Sequence, residues 1–390
     1  LVANAGTMAL AHLREDREGC MKRSGFPPPY QVLDQLNGVP WKIHLNAAAR
    51  GMLLTGLQGG GKTMLLVWLC MQFDQFGIPF FILDPKLGLK DWAGFLNAKY
   101  IDTDDISIDF SPPPGLNYEQ FLTSLMSPLG DIVGLIYGTE ILQEAAQICI
   151  SLKKQYNQRT GRNTEISLFD IYQSIPFVKD VSKGRRLGYR EAVSTSIGRI
   201  LSGSGDLFKC RKGIDLATLF DRNVILGCRS ITDDFAAKFL SLYLLYWLYE
   251  SERFSPPCDN LKRVIVFDDA SRYLSIRGGF DAASTTSPFT DIFSRLRSSG
   301  NGVVAVTQIP HLADPGILAL SHTIACVGGL HFGKDTRLLA DMMGLDETQR
   351  AGLSKLTRRE VIGFSAGADF RNIVHGQTCD VPDQTGGRRG

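Results

Sequence analysis

Two kinds of apolar pattern alternate along the chain. Short, almost uninterrupted apolar runs occur at Met52–Thr55, Pro79–Leu83, Asn223–Cys228, Arg263–Asp268, Gly302–Gln308 and Thr323–Leu330. Runs of this length, bounded by Gly, Pro or acidic residues, read as strands covered on both faces. Between them lie longer segments with helical spacing at Thr63–Phe76, 233–252 and 288–299, the first of them ended by Gly77. From Gly51 to Asp84 the order is strand, Gly-rich loop, helix, strand. That is a βαβ unit, and it predicts an α/β fold with a mostly parallel central sheet.

The pattern changes after Phe110. Ser111-Pro112-Pro113-Pro114 reads as a linker, and residues 115–215 carry helical periodicity without a convincing strand. The expectation is an all-helical insertion between the second and third core strands. It is locally basic, with Lys153, Lys154, Arg159, Arg162, Lys183, Arg185, Arg186 and Arg190. Residues 1–25 suggest a charged amphipathic helix, broken by Pro27-Pro28-Pro29, and Glu360–Ser365 suggests a last strand. The Gly/Arg-rich end from Pro382 to Gly390 is expected to be disordered. The expected organisation is an N-terminal segment at 1–50, a core in two parts at 51–110 and 216–380, the insertion at 111–215, and a tail at 381–390.

Composition narrows the functional classes. Of the 390 residues, 44% are hydrophobic and 21% charged, so a large core is available. The net charge of +2 excludes a uniformly basic nucleic-acid binder; a DNA-binding surface has to be local or assembled from several subunits. None of the eight cysteines forms a CxxC pair, and Cys70, Cys149, Cys228 and Cys326 lie in apolar runs. They read as buried, reduced thiols of a cytoplasmic protein rather than zinc ligands. The strongest apolar segment, Phe235–Tyr249, contains Lys238 and falls short of the ~18 residues of a membrane span. It reads as a buried helix. The chain opens on Leu1 rather than Met, so a preceding segment carrying an anchor or another domain is left open.

The sharpest chemistry is Gly56-Leu57-Gln58-Gly59-Gly60-Gly61-Lys62-Thr63, a full GxxxxGK[ST] between an apolar strand and a helix. Glycines let successive N–H groups turn inward toward phosphate oxygens, and the helix N-terminus adds a favourable dipole. Gly56, Gln58, Gly59, Gly60, Gly61, Lys62, Thr63 and Met64 are therefore the candidate ATP-binding residues. Lys62 should reach the β- and γ-phosphates, and the Thr63 hydroxyl should ligate Mg2+. Val264-Ile265-Val266-Phe267 ends in Asp268 and Asp269. Asp268 fits a second Mg2+ ligand and Asp269 the acid that polarises the attacking water. Gln308 closes the following apolar run and is placed to sense the γ-phosphate or position water. Arg297, and less strongly Arg295, lie on the preceding helix, where an arginine can be offered to a neighbouring subunit's nucleotide. Asp84 and Lys86 end the second strand, on the edge where open α/β sheets bind ligands. Asp84 suggests a supporting acid near the metal and Lys86 a contact to phosphate or nucleic acid. The histidines form no ligand spacing.

The series from the P-loop through ILDPK, the helical insertion, DLATLFDRNVILGC, VIVFDDA and FSRLRSSGNGVVAVTQIP to LTRREVIGFSAG resembles the HerA/FtsK superfamily of P-loop motors. It covers roughly residues 50–366, and the insertion is similar to that of type IV secretion coupling proteins of the TraD/TraG kind. The resemblance implies a RecA-like, additional-strand core. It also implies a homo-oligomeric ring, usually a hexamer, with ATP between subunits and DNA in a central channel. Lys62, Thr63, Asp268 and Gln308 match family roles, and Arg297 matches the trans-acting arginine. Asp269 departs from it, because a glutamate is usual there and Asp is one methylene shorter. No N-terminal transmembrane pair or β-barrel is recognisable.

Two functions follow as expectations. One is a DNA-translocating ATPase, with Leu87–Trp92 and Arg277–Ser287 as channel loops touching DNA phosphates without reading bases. The other is a slow, nucleotide-gated scaffold whose insertion recruits a nuclease, relaxase or secretion partner, with any membrane association made through partners or a missing N-terminal segment. A metabolic P-loop kinase is a weaker third.

Overall fold

The computed structural model describes residues 32–34, 50–134, 137–162, 165–179, 186–258, 260–275, 287–366 and 373–378. The helix expected at 1–25, all but the last residue of Arg277–Ser287, and the tail from 382 lie outside them. One sheet holds ten strands: β1 (Val32–Asp34), β2 (Met52–Thr55), β3 (Phe80–Asp84), β4 (Lys99–Asp102), β5 (Val224–Gly227), β6 (Arg263–Asp268), β7 (Asn301–Thr307), β8 (Thr323–Val327), β9 (Glu360–Ser365) and β10 (Val374–Thr378). Their order across the sheet is β1-β10-β9-β8-β2-β7-β6-β3-β5-β4. Every pairing from β8 to β4 is parallel, and β9, β10 and β1 add an antiparallel edge.

Three strands were not legible in the apolar pattern: β1, which lies in the expected N-terminal segment at 1–50, β4 and β10. β4 precedes the helical segment, so the helices enter after a third core strand rather than a second. Lys99 and Tyr100 at its start are not buried, which breaks the apolar run that marks the other strands. β10 reads Val-His-Gly-Gln-Thr and buries only alternate positions, as an antiparallel strand near an edge does.

The period of two along each strand sorts the core into two faces. Leu54, Ile82, Val266 and Val306 face helix α1 (Lys62–Gln75), whose Leu65–Met71 stretch is buried throughout. Leu53, Phe81, Phe267 and Ala305 face the opposite layer. There helices α2 (Tyr118–Val133), α3 (Gly138–Thr160), α4 (Leu168–Ser174) and α5 (Arg186–Gly203) lie between β4 and β5, and α6 (Leu216–Phe220) leads into β5. Their apolar side chains join the sheet's own cluster without a break.

The join runs through α7 (Asp234–Glu252), which is apolar on every side and buried from Ala236 to Leu248. Asp233 starts it by accepting from Phe235 N at 2.7 Å, and also holds Arg199 of α5 at 2.8 Å. Phe239 packs on Phe208, Tyr246 on Phe121, and Trp247 on Phe220. The Tyr243 hydroxyl donates to Asp109 O at 2.6 Å and the Trp247 indole N–H to Ser111 O at 3.0 Å, so both polar ends are satisfied. No helix among the described residues is long and apolar enough to cross a membrane. After α7 come α8 (Ala270–Tyr273), α9 (Pro288–Ser298), α10 (Pro315–Leu320), α11 (Gly333–Met343) and α12 (Glu347–Leu353).

The helical segment is also closed by a charged clasp. Ser167 and Asp170 form a capping box at the start of α4, and Arg211 donates to Asp170 Oδ1 from Nη2 at 2.6 Å. Burial opposes ionisation of Asp170, but Arg211 and the Ser167 donors outweigh it and hold the carboxyl below its ordinary value. A lowered carboxyl contributes stability above its unfolded value and loses it as the pH falls. Arg211 is exposed, so screening limits the contribution to about 1 kcal/mol. Arg211→Ala should therefore lower chemical-denaturation stability by about 1 kcal/mol at pH 7. The gap to the unsubstituted chain should close as the pH is taken below about 4.

Candidate nucleotide site

β7 lies between β2 and β6, and their ends are level: Thr55 is opposite Thr307, and Val306 opposite Asp268. Parallel strands all deliver their carboxyl ends to one edge of the sheet, so the next residues of each strand meet there. They are the Gly56–Thr63 loop after β2, Gln308 after β7, and Asp268-Asp269 at the end of β6.

The loop has little room for side chains. Gly56 has φ 142° and Gly61, which caps α1, has φ 117°. A Cβ on Gly56 would lie 1.9 Å from the Val327 carbonyl oxygen, and one on Gly60 2.6 Å from it. Hydrogen bonds fasten the loop from both sides: Leu57 N donates to Gly329 O at 2.9 Å and Arg359 N to Gly60 O at 2.8 Å. Lys62 turns back over the loop and donates to Gly56 O at 2.8 Å and Leu57 O at 2.7 Å. Two of its three donors are used, leaving one to meet a phosphate oxygen.

These residues line one open cavity of about 1040 Å³ at the carboxyl edge. Gln58, Gly59, Gly61, Lys62, Thr63, Met64, Asp268, Asp269 and Gln308 all line it. Gly56 and Gly60 lie behind it and let the loop close on β8. The charges are strongly coupled. Burial pushes Asp268 up to about 6, and Asp84 and Asp269 push the same way against Lys86 and Lys62. Burial lowers Lys62 to about 8, with Lys86 adding to the effect and Asp268 opposing it. Carboxylates crowded in this way are stabilised by a cation. Thr63 and Asp268 line the cavity and would offer two oxygen donors to one, and no cluster of three His, Cys, Asp or Glu exists among the described residues. Such a donor set suits Mg2+, which keeps waters and phosphate oxygens in its shell, rather than an ion caged wholly by protein.

The other sequence candidates separate. Asp84 is fully buried, and its oxygens accept from Gly88 N at 3.2 Å and Leu89 N at 2.8 Å. It shapes the turn after β3. That turn sends Lys86 into the cavity, where Nζ pairs with Asp269 Oδ2 at 3.2 Å. Arg297 sits at the opposite edge, where its Nη1 lies 3.2 Å from Nε2 of His322, the residue before β8. β7 spans roughly 20 Å between those edges, so Arg297 does not reach this chain's own cavity. Arg295 meets the Tyr249 hydroxyl at 2.7 Å on the surface.

The sequence did not point to several residues that line the cavity, among them Arg272, His311, Arg358 and Arg359. His311 is held through its ring Nδ1 at 2.8 Å and its backbone N at 2.9 Å by buried Asp335 on α11. Arg359 has φ 72° and carries the N–H that fastens Gly60. Its one sequence signal was its place in LTRREVIGFSAG; the distance along the chain hid the contact.

A scan against protein-family models and a search of curated proteins both found no match. Solved structures do match over nearly the whole chain. VirB4 of Thermoanaerobacter pseudethanolicus superposes with a TM-score of 0.62 at 14% identity, covering 90% of this chain and 96% of that one. The plasmid coupling protein TrwB in complex with the non-hydrolysable ATP analogue ADPNP superposes with a TM-score of 0.61 at 16% identity, covering 92% of both chains. TrwB in complex with ADP and Mg2+ gives 0.60 at 15%. The fold is that of TrwB and VirB4. This is the RecA-like P-loop core, with the additional strand β7 between the P-loop strand and the acid-bearing strand.

The buttress makes a graded prediction. Gly60→Ala should displace the loop, weaken binding of a fluorescent ATP analogue at least tenfold, and lower the thermal midpoint. Gly59→Ala, whose methyl meets nothing within 4 Å, should cost only about 1 kcal/mol, from its positive φ.

Proposed function

We propose that this chain is an ATP-hydrolysing, DNA-translocating motor that works as a homo-oligomeric ring. The observation that carries the reading is the convergence of Lys62, Thr63, Asp268, Asp269 and Gln308 on one cavity at the carboxyl edge of a RecA-like sheet. In this reading the loop N–H groups and Lys62 hold the β- and γ-phosphates. Thr63 and Asp268 hold Mg2+, which when bound neutralises phosphate charge. Gln308 and Asp269 orient the attacking water. The cavity is open, which leaves its outer wall to a second copy of the chain. Arg297 supports the same assembly. Its guanidinium is disfavoured by burial and by the nearby Arg50, so an anion brought by a neighbouring subunit would relieve both. DNA would meet the Leu87–Trp92 turn and other inward loops through phosphate contacts, without base reading. The buried free thiols of Cys70, Cys149, Cys228 and Cys326 suit a cytoplasmic setting.

A second reading has its own observation. Asp269 is paired with Lys86 and accepts from the Ser271 hydroxyl at 2.9 Å, so both of its oxygens are engaged. A site so arranged suits a slow ATPase whose nucleotide gates assembly, with the α2–α5 segment receiving a nuclease, relaxase or secretion partner. Steady-state ATP hydrolysis with and without single- and double-stranded DNA separates the two. The motor reading expects strong stimulation by DNA, abolished in Lys62→Ala. Slow, DNA-indifferent turnover with intact ATP binding would leave the gated scaffold. Arg297→Ala should lower turnover by about 10³-fold while leaving ATP binding within a few-fold of the unsubstituted chain.

A further inference from the structure

Lys86 is the second lysine to line the nucleotide cavity, beside Lys62, and its position is built rather than incidental. The buried Asp84 carboxylate ties down Gly88 and Leu89, and Leu87 takes a positive φ of 55°. This tight turn follows β3, the strand next to β6. A long side chain from the turn therefore crosses to the end of β6, where the Lys86 ammonium meets Asp269 at 3.2 Å. Lys86 is 47% exposed and Asp269 27%, and both line the cavity together with Lys62 and Gln308. Asp269 is fixed in its turn. It has φ 75°, a conformation Asp tolerates better than most residues, and Ser271 holds its other oxygen.

Resting on the nucleotide-site reading above, we propose that Lys86 recognises the terminal phosphate of a nucleoside triphosphate and is held on Asp269 until that phosphate arrives. Charge decides the exchange. Asp269 offers the ammonium one negative charge, whereas a terminal phosphate offers about −1.5 to −2. The P-loop cradles the inner phosphates, so a diphosphate leaves the Lys86 pair in place and a triphosphate does not. Transfer of the ammonium frees the Asp269 oxygen that it occupied. Asp269 then becomes available to a water only when there is a γ-phosphate to attack. Lys86 thus reads triphosphate against diphosphate, and the ion pair keeps the acid occupied in between.

The test is equilibrium binding of ADPNP and of ADP, each with Mg2+, to the full chain and to Lys86→Ala, Lys86→Arg, Asp269→Asn and Lys62→Ala. Loss of one charge-assisted contact to phosphate should weaken ADPNP binding about 10- to 100-fold in Lys86→Ala. ADP binding should change by less than about threefold, and Lys86→Arg should restore most of the discrimination. Asp269→Asn releases Lys86 from the other side, and should tighten ADPNP binding several-fold while leaving ADP unchanged. Equal losses for both nucleotides in Lys86→Ala, or no loss for either, would overturn the assignment and leave Lys86 as a strut for Asp269. If the unsubstituted chain binds no better than Lys62→Ala, the nucleotide-site reading fails and Lys86 falls with it. Thermal unfolding of each variant separates a lost contact from a lost fold.

Discussion

The site depends on the approach of two backbone segments, the Gly56–Gly61 loop and the Val327–Gly329 end of β8, with no side chain between them. A Cβ on Gly328 would lie 2.4 Å from the Gly60 Cα, as tight as the clash that one on Gly60 would make with Val327 O. The glycines are needed on both strands because the contact is made from both sides. Once the loop is fastened to β8 and to Arg359, its N–H groups have a fixed direction. Lys62 and Thr63, which open α1, then have a fixed origin. A P-loop shifted off β8 would still have the right residues, but it would not share a cavity with the acids of β6.

Electrostatics then makes the cavity responsive. Asp268 is pushed one way by Asp84 and Asp269 and the other way by Lys86 and Lys62, in a partly desolvated cleft. Burial disfavours the charge of both Asp268 and Lys62, and no single pairing satisfies the whole group. A ligand that carries both a multivalent anion and a divalent cation relieves each imbalance. The helical layer on the other face is joined to the sheet: α7 packs between them, and one continuous apolar core runs from the α2–α5 segment to β6 and β7.

The local chemistry was legible in the sequence, because P-loop geometry needs particular residue types in consecutive positions. Gly56–Thr63, Asp268 and Gln308 follow in this way, each placed by an apolar run just before it. The parallel sheet and the buried helix Phe235–Tyr249 follow from apolar runs too long or too continuous to face water. β4 and β10 were lost because strands at or next to the sheet's edge bury only part of their surface and so lose the apolar signature. Asp84 shows a part that the sequence did not reveal: besides acting on Asp268, its oxygens accept from two backbone N–H groups of its own turn.

What the sequence by itself determined is therefore the set of contacts made within one strand–loop unit: the phosphate loop, its lysine and threonine, and the acids that close a strand. Their physical basis is local, residing in backbone freedom at glycine and in side chains a few residues apart. The tertiary structure alone decided which units share an edge. Strand order placed β7 between β2 and β6, put Arg297 at the far end of the sheet, brought Arg359 under Gly60, and set Lys86 against Asp269 across two strands. These pairings join residues far apart in the chain, and the competition among burial, packing and register that selects them leaves no mark in any short stretch of sequence.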